Sequence, residues 1–285
     1  MKVVLPEKNL FNKKEIVVYI LIVVVCIVSI IIAFYVQFYA RIDVGRLFGI
    51  NSEVEFGNKT EEETELLKAE FEQIFTNGIE NAEGQDSKKK ESDKSLVYTK
   101  TEKKESKLNC YDIEVHIPYI NIDNEKVEEY NKEIEGFVNK TNSVLESQNK
   151  NIIYTVEYVA NVQNDILSLM IRSNLKEGAS AQRVIVQTYN YDLRNNKEIT
   201  LEEVLKIEHA NSFEIQEKIK NEISAEQKKV EDLKNLGYNI YNRDASSDIY
   251  KIENSKEFYL TSNTLYIIYA YGNETFTSEM DLIVI

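Results

Sequence analysis

Residues 152–171 read IIYTVEYVANVQNDILSLMI, and this stretch decides the fold. Apolar side chains occupy every second position before the central Asn-Asp pair, and the same spacing resumes after it. A period of two is typical of a β-strand with one buried face. Asn and Asp together between two such runs are typical of a tight turn. The stretch therefore predicts a β-hairpin that buries one face, including Tyr154 and Tyr158.

Helical patterns flank the hairpin. Apolar residues fall three or four apart over 124–148 and again over about 211–236, which predicts two long amphipathic helices, the second ending at Gly237. Thr200 and Glu203 have capping-box spacing and predict the start of a short helix. These elements and the remaining strands predict an α+β domain over residues 108–285, with an antiparallel sheet and packed helices. The other strands are predicted at 111–118, 183–193, 258–260, 265–271 and 280–285.

Residues 16–40 contain no charged residue and are rich in Ile and Val. At about 1.5 Å of rise per residue, a helix of this length exceeds the roughly 30 Å hydrocarbon core of a bilayer. The segment therefore predicts one transmembrane helix. Basic residues are more numerous before it than just after it, which favours a cytoplasmic tail over residues 1–15 and an extracytoplasmic remainder. A cleaved signal peptide is the competing interpretation, but its apolar region is normally only about 7–15 residues long.

Two segments of different composition separate this span from the domain. Residues 41–80 form a juxtamembrane segment in which Thr60 and Glu63 open an amphipathic helix. Residues 81–107 are rich in Ser, Lys, Glu and Asp and predict a flexible charged linker. The β-prone residues 96–99 leave open an added edge strand. The apolar face of the juxtamembrane helix is expected to pack or to self-associate through Leu67, Phe71, Ile74 and Phe75.

Composition excludes several functional classes. The chain has 48 Asp and Glu against 34 Lys and Arg, a net charge of −14, which disfavours nucleic acid as a partner. Two Cys exclude a disulfide scaffold, and two His leave little material for a metal site. No glycine-rich phosphate loop, His-Glu-x-x-His motif or nucleophile elbow is present. We therefore predict no cofactor, no metal and no catalytic residue.

Aromatic residues near the carboxyl terminus are the candidate ligand contacts. Tyr266 alternates with Tyr269 and Tyr271 along one strand, so one of its two faces is expected to be exposed beside the loop 273–277. Aromatic rings on an exposed strand suit sugar rings or a protein partner. The candidate binding residues are Tyr266, Tyr269, Tyr271, Asn273 and Phe276.

Three stretches together resemble a known bacterial family. They are EVHIPYINIDNEKVEEYNKEIEGFVN at 114–139, QTYNYDLRNNKEITLEEVL at 187–205 and FYLTSNTLYIIYAYG at 258–272. Their order and spacing resemble the extracellular module of the membrane anti-sigma factors that act as lysozyme receptors, a module also found beside peptidoglycan deacetylase domains. The resemblance implies an α+β module that binds lysozyme outside the cell. Two departures stand out: residues 178–180 lack the family's histidine, and residues 1–15 are too few for an anti-sigma domain.

The sequence thus predicts a membrane-anchored, non-catalytic binding or sensor module of the bacterial cell envelope. Residues 16–40 would contact the lipid bilayer, and the acidic remainder would attract a cationic wall-lytic protein such as lysozyme. A peptidoglycan fragment is the other expected ligand. Two alternatives stay open: an envelope enzyme that acts on wall polysaccharide, and a structural membrane protein that forms homo-oligomers through residues 60–78.

Overall fold

The computed structural model describes residues 59–75, 89–261, 263–273 and 278–285. The chain divides into two units, Met1–Val54 and Glu55–Ile285, and every described residue belongs to the second. The predicted transmembrane helix at 16–40 lies outside the described residues. Within the described ranges, no helix has both the length and the hydropathy that crossing a bilayer requires.

The larger sheet has six strands in the order of the sequence. They are β1 Val97–Lys107, β2 Tyr111–Ile120, β3 Ile152–Gln163, β4 Ile166–Glu177, β5 Arg183–Asp192 and β6 Lys197–Glu198. Strands β2 and β3 are parallel, whereas the other neighbouring pairs are antiparallel. The prediction of an antiparallel sheet is therefore wrong at this one pair. Helix α2, Glu125–Leu145, connects the two strands and returns the chain to the same end of the sheet, as a parallel pair requires.

Among the described residues, the unit also contains a smaller antiparallel sheet and three further α-helices. The sheet consists of β7 Phe258–Leu260, β8 Leu265–Ala270 and β9 Met280–Val284. The helices are α1 Glu61–Ile74, α3 Leu201–Ile207 and α4 Ser212–Asn235, with short 3₁₀ helices at Asp248–Tyr250, Ile252–Asn254 and Tyr271–Asn273. The α+β class is confirmed.

The elements stack in layers. Helix α2 covers one face of the larger sheet, where Tyr154 and Tyr158 are buried as predicted. The opposite face of β3–β5 packs against the smaller sheet and α1 through residues such as Val159, Met170 and Ile268. Helices α3 and α4 cover the far side of the smaller sheet. The smaller sheet is therefore buried on both faces.

Local sequence signals account for the ends of these elements. Thr60 with Glu63 and Thr200 with Glu203 form the predicted capping boxes, in which side chains satisfy the exposed N–H groups of the first helical turn. Gly237 ends α4 with φ 92°, a left-handed conformation that favours glycine. The residues at 164 and 165 are Asn and Asp, with φ of 50° and 61°, and they form the predicted hairpin turn.

Strand β1 lies within the segment predicted as a flexible linker. It pairs with β2 along its whole length, and residues 89–96 also lie against the domain. The buried Asn121 side chain donates to the carbonyls of Glu91 and Ser95, and Leu96 is buried. The linker prediction is therefore wrong over 89–107, and the alternative of an edge strand is confirmed. Charged residues suit an exposed edge strand, so composition alone gave the wrong prediction.

Candidate functional site

Three of the predicted ligand contacts lie inside the unit. Tyr266, Tyr269 and Tyr271 are only 3%, 8% and 4% exposed. The Tyr266 ring packs against Phe71 of α1 at 5.3 Å between centroids, and the Tyr269 ring packs against Tyr250 at 4.9 Å. The expectation of an exposed strand face is wrong, because α1 and the larger sheet cover one face of β8 while α4 covers the other.

The other two candidates differ in position. The Asn273 side chain accepts a hydrogen bond from the Val186 N–H at 2.9 Å and donates to its carbonyl at 2.6 Å. It thereby satisfies backbone groups on the outer edge of β5, as a neighbouring strand would. The structure thus gives Asn273 a stabilising role. Phe276 lies outside the described residues.

The apolar face of α1 packs within its own chain. Phe71 and Phe75 are buried against the smaller sheet, and Leu67 and Ile74 are half-buried in the same cluster. Of the two alternatives predicted for this face, the structure shows packing within the same chain. These four residues therefore do not form a free apolar stripe on the helix surface. Arg172 of β4 lies over the Phe75 ring at 4.1 Å and pairs with Glu72 and Glu157.

The outer face of α1 is acidic. Six of its fourteen residues are Glu and one is Lys. Lys68 pairs with Glu222 of α4 at 2.7 Å and joins the two helices. Glu61, Glu62 and Glu70 are exposed, and their backbone is held in place by the buried side of the helix. We call these three residues the α1 acidic face; they present negative charge on a fixed scaffold.

A second acidic cluster lies at the outer edge of β5. The half-buried Glu257 carboxylate accepts hydrogen bonds from the Thr188 N–H at 2.6 Å and the Thr188 hydroxyl at 3.0 Å. The next residue, Tyr189, is 4% exposed, and its ring packs against Tyr130 of α2 at 5.0 Å. Glu133 lies one helical turn after Tyr130 and is exposed. We call Glu133, Tyr189 and Glu257 the β5-edge cluster.

The electrostatics of the β5-edge cluster are unusual. Burial raises the pKa of Glu257 to about 7, the charge of Glu133 adds to this increase, and the hydrogen bonds from Thr188 oppose it. Burial, followed by the charges of Glu133 and Glu257 and a hydrogen bond with the Glu133 side chain, raises the pKa of the Tyr189 phenol well above its usual range. The phenol is therefore neutral beside two acids. Such a cluster can accept hydrogen bonds from a cation.

The pKa of Glu257 predicts how stability depends on pH. Since the folded state binds this proton more tightly than the unfolded state, whose pKa is near 4.5, stability decreases as pH rises through about 7. Glu257→Gln keeps an acceptor for Thr188 and removes the charge. We expect it to exceed wild type in unfolding free energy by about 1–3 kcal/mol at pH 8 and to match it near pH 5. Urea denaturation of both proteins at pH 5 and pH 8 measures the difference in unfolding free energy. A difference of the same size at both pH values would contradict the prediction.

A third polar cluster is buried and internally satisfied. Arg243 donates from Nε to Asp281 Oδ2 at 2.6 Å and from Nη1 to Glu279 at 3.1 Å. The Tyr271 hydroxyl also donates to Asp281 and shares a hydrogen bond with the Tyr250 hydroxyl. These bonds fasten the segment that follows α4 to strand β9. The cluster therefore has a structural role.

The two histidines have separate positions. His116 is half-buried on β2, 4.0 Å from Glu102, and His209 follows α3 with φ 54°. In the part of the chain that the structure describes, no group of three or more His, Cys, Asp or Glu side chains is arranged to hold a metal ion.

Comparisons with known proteins give only distant structural likeness. No family model and no curated protein matches the chain. A DUF3298 family member from Bacteroides fragilis is similar at 14% identity and a TM-score of 0.35, covering 61% of this chain and 81% of its own. A DUF3298 family protein from Pseudomonas aeruginosa is similar at 12% identity and a TM-score of 0.36, covering 66% of this chain and 87% of its own. Likeness at this level carries no argument about function.

Proposed function

We propose that the chain is a membrane-anchored, non-catalytic binding module of the bacterial cell envelope. Its described unit lies outside the cell and binds a cationic wall-lytic protein such as lysozyme. The observation that carries this proposal is the α1 acidic face, which is held in place by the buried Phe71 and Phe75 in a chain whose net charge is −14. The resemblance of residues 114–139, 187–205 and 258–272 to lysozyme receptors supports the same ligand.

Electrostatic attraction gives this proposal a mechanism. A surface of one sign attracts a partner of the opposite sign, raises the association rate and orients the encounter. Because the acidic face is attached to a folded layer, little ordering entropy is lost when the partner docks on it. Helix α4 offers a contrast, since its six acids are interspersed with five lysines. We therefore place the first contact at α1.

Salt dependence tests the proposal. The full chain, in nanodiscs of zwitterionic lipid, is titrated with lysozyme at about 20 mM and about 300 mM salt, and the Kd is measured. We expect binding at low salt and a loss of about tenfold or more in affinity at high salt, because exposed charges are screened over about 10 Å or less. Absence of binding at low salt would contradict the proposal.

A charge-matched pair of variants localises the contact. Glu61→Gln/Glu62→Gln/Glu70→Gln removes three charges from the α1 acidic face. Glu214→Gln/Glu231→Gln/Asp232→Asn removes three charges from α4 and serves as the control. We expect the α1 variant to weaken lysozyme binding several-fold more than the α4 variant, since nearby charges dominate when salt screens distant ones. Equal losses of lysozyme affinity in the two variants would show that the attraction depends on net charge alone and would contradict a contact at α1.

A further inference from the structure

The carboxyl end of helix α4 exposes three apolar side chains together. Leu236 and Tyr238 are 74% and 62% exposed, and Leu233 beside them is also exposed. Seven large apolar residues are exposed in the described part of the chain, and these are the only three of them that lie within six positions of one another. We call these three residues the α4 apolar cap. Single exposed apolar residues are ordinary, whereas a group of them indicates a binding surface.

A Schellman turn holds the α4 apolar cap in one arrangement. The Tyr238 N–H donates to the Leu233 carbonyl at 3.2 Å, and the Gly237 N–H donates to the Lys234 carbonyl at 2.9 Å. This pair of hydrogen bonds brings the side chains at the two ends of the turn together. Because the turn is already ordered, little conformational entropy is lost when a ligand covers its apolar side chains.

Charges of both signs border the cap in equal number. Residues 226–234 contain three basic and three acidic side chains, namely Lys228, Lys229, Lys234, Glu226, Glu231 and Asp232. Lys229 pairs with Glu226 at 2.6 Å. A balanced border gives a cationic protein no net attraction, in contrast with the α1 acidic face. A zwitterionic lipid headgroup carries both signs and therefore suits this border.

The cap is too small for a stable protein–protein interface. Such an interface takes roughly 20–30 residues from each partner. A bilayer requires less, because each apolar side chain that leaves water for the lipid interface contributes by itself. Tyrosine suits this position, since its ring enters the apolar side of the interface while its hydroxyl stays hydrated. The size and composition of the cap therefore favour a lipid surface over a second copy of the chain.

The described unit begins close to α4. Lys59 and Lys218 donate to the neighbouring backbone oxygens of Ile285 and Val284, at 2.8 and 2.7 Å. The chain therefore enters the unit beside Lys218. From Lys218 to Leu236, α4 extends over about 27 Å at about 1.5 Å per residue. The cap thus lies about 30 Å from the point of entry.

A bilayer that holds residues 16–40 is within reach of the cap. Residues 41–58 separate the predicted span from Lys59, the first residue that the structure describes. Fully extended, they cover about 60 Å. This length exceeds the distance along α4 from the point of entry to the cap. The cap can therefore contact the same bilayer that contains the span.

We propose that the α4 apolar cap inserts into the headgroup region of the bilayer that anchors the chain. This inference rests on the membrane anchoring in the proposed function and adds a second lipid contact to it. The two contacts strengthen each other, because the span keeps the cap at a high effective concentration near lipid. The cap thereby limits the rotation of the described unit at the bilayer surface.

Single tryptophans test this contact, because the chain has no Trp of its own. The full chain is placed in zwitterionic nanodiscs with or without brominated acyl chains, which quench Trp fluorescence at short range. Tyr238→Trp is compared with Leu108→Trp, at a position 88% exposed in the turn between β1 and β2. We expect brominated lipid to lower the emission of Tyr238→Trp about twofold or more and to leave Leu108→Trp unchanged. Adding Leu236→Ser to Tyr238→Trp should restore most of the emission, because it removes apolar area from the cap.

A tryptophan in the predicted span separates this inference from the proposed anchor. Quenching of Ile27→Trp without quenching of Tyr238→Trp overturns the lipid contact of the cap and leaves the anchor standing. Quenching of Tyr238→Trp alone supports the cap and overturns the span, and quenching of neither overturns both.

Three further results would overturn the lipid contact. Equal quenching of Leu108→Trp would show that the whole surface meets lipid without preference. Full quenching of Tyr238→Trp after Leu236→Ser would show that the cap does not act as a unit. A shift of Tyr238→Trp emission to shorter wavelength without quenching by brominated lipid would show that protein covers the cap.

Discussion

Replacing Arg243 by methionine is expected to lower the unfolding free energy by about 3–5 kcal/mol, because the substitution leaves a buried carboxylate without its cation. Asp281 receives hydrogen bonds from Arg243 and Tyr271, and both members of the ion pair are buried. Because methionine fills much of the volume of arginine, the lost unfolding free energy comes mainly from the missing charge and less from a cavity. Urea denaturation of the full chain, followed by far-UV circular dichroism because Trp is absent, measures it.

An exposed ion pair provides the control for this variant. Lys206 and Glu202 pair at 2.8 Å on α3, but the Lys206 side chain is 67% exposed. Solvent-exposed pairs contribute little, so Lys206→Met should change the unfolding free energy by less than about 0.5 kcal/mol. Equal effects of Arg243→Met and Lys206→Met would show that the buried cluster does not fasten strand β9.

Replacing Phe71 by alanine is expected to cost about 3–5 kcal/mol, since it removes a buried aromatic side chain that connects α1 to the smaller sheet. The Phe71 ring contacts both Phe75 and Tyr266, at 5.9 and 5.3 Å between centroids. Part of the loss should appear as local opening of α1, because the helix has few other buried side chains. Hydrogen exchange of residues 61–75 should accelerate more than exchange of β3 and β4.

The same helix contains a matched control. Leu66 is 58% exposed, so Leu66→Ala should leave both stability and exchange nearly unchanged. If α1 served mainly to join two copies of the chain, Phe71→Ala would alter the stoichiometry in nanodiscs and leave hydrogen exchange within one copy unaffected. That result would contradict the intramolecular role of Phe71.

Local elements were predictable because their signals lie close together in the sequence. The two capping boxes, the turn at 164–165 and the glycine after α4 each involve residues within a few positions of one another. The hydrophobic periods of α2, β3 and β4 predicted the faces that are buried in the larger sheet. These elements required no knowledge of their neighbours.

Features that depend on distant partners were not predictable. Strand β1 looks like a linker by composition, and only its pairing with β2 supplies the missing hydrogen bonds. The parallel pairing of β2 and β3 follows from the path of α2, which composition does not show. Tyr266, Tyr269 and Tyr271 were candidates because one of the two faces of their strand was expected to be exposed, and the sequence does not show that other layers cover both faces.

The β5-edge cluster was missed for the same reason. Glu133 and Glu257 look like ordinary surface acids among 48, and Tyr189 looks like one more strand tyrosine. Only the fold brings the charges of Glu133 and Glu257 close to the buried Tyr189 phenol. Glu257 immediately before an apolar strand was the sole local signal, and it is a weak one.

Accessibility on intact cells tests the central claim of an outward-facing module most directly. Cells that make the full chain are treated with a membrane-impermeant, amine-reactive biotin reagent, before or after lysis, and labelled peptides are identified by mass spectrometry. Lys206 is well exposed in the described unit, whereas Lys8 belongs to the tail predicted to be inside. The proposed orientation predicts that Lys206 is labelled on intact cells and Lys8 only after lysis. Labelling of Lys206 only after lysis would contradict it.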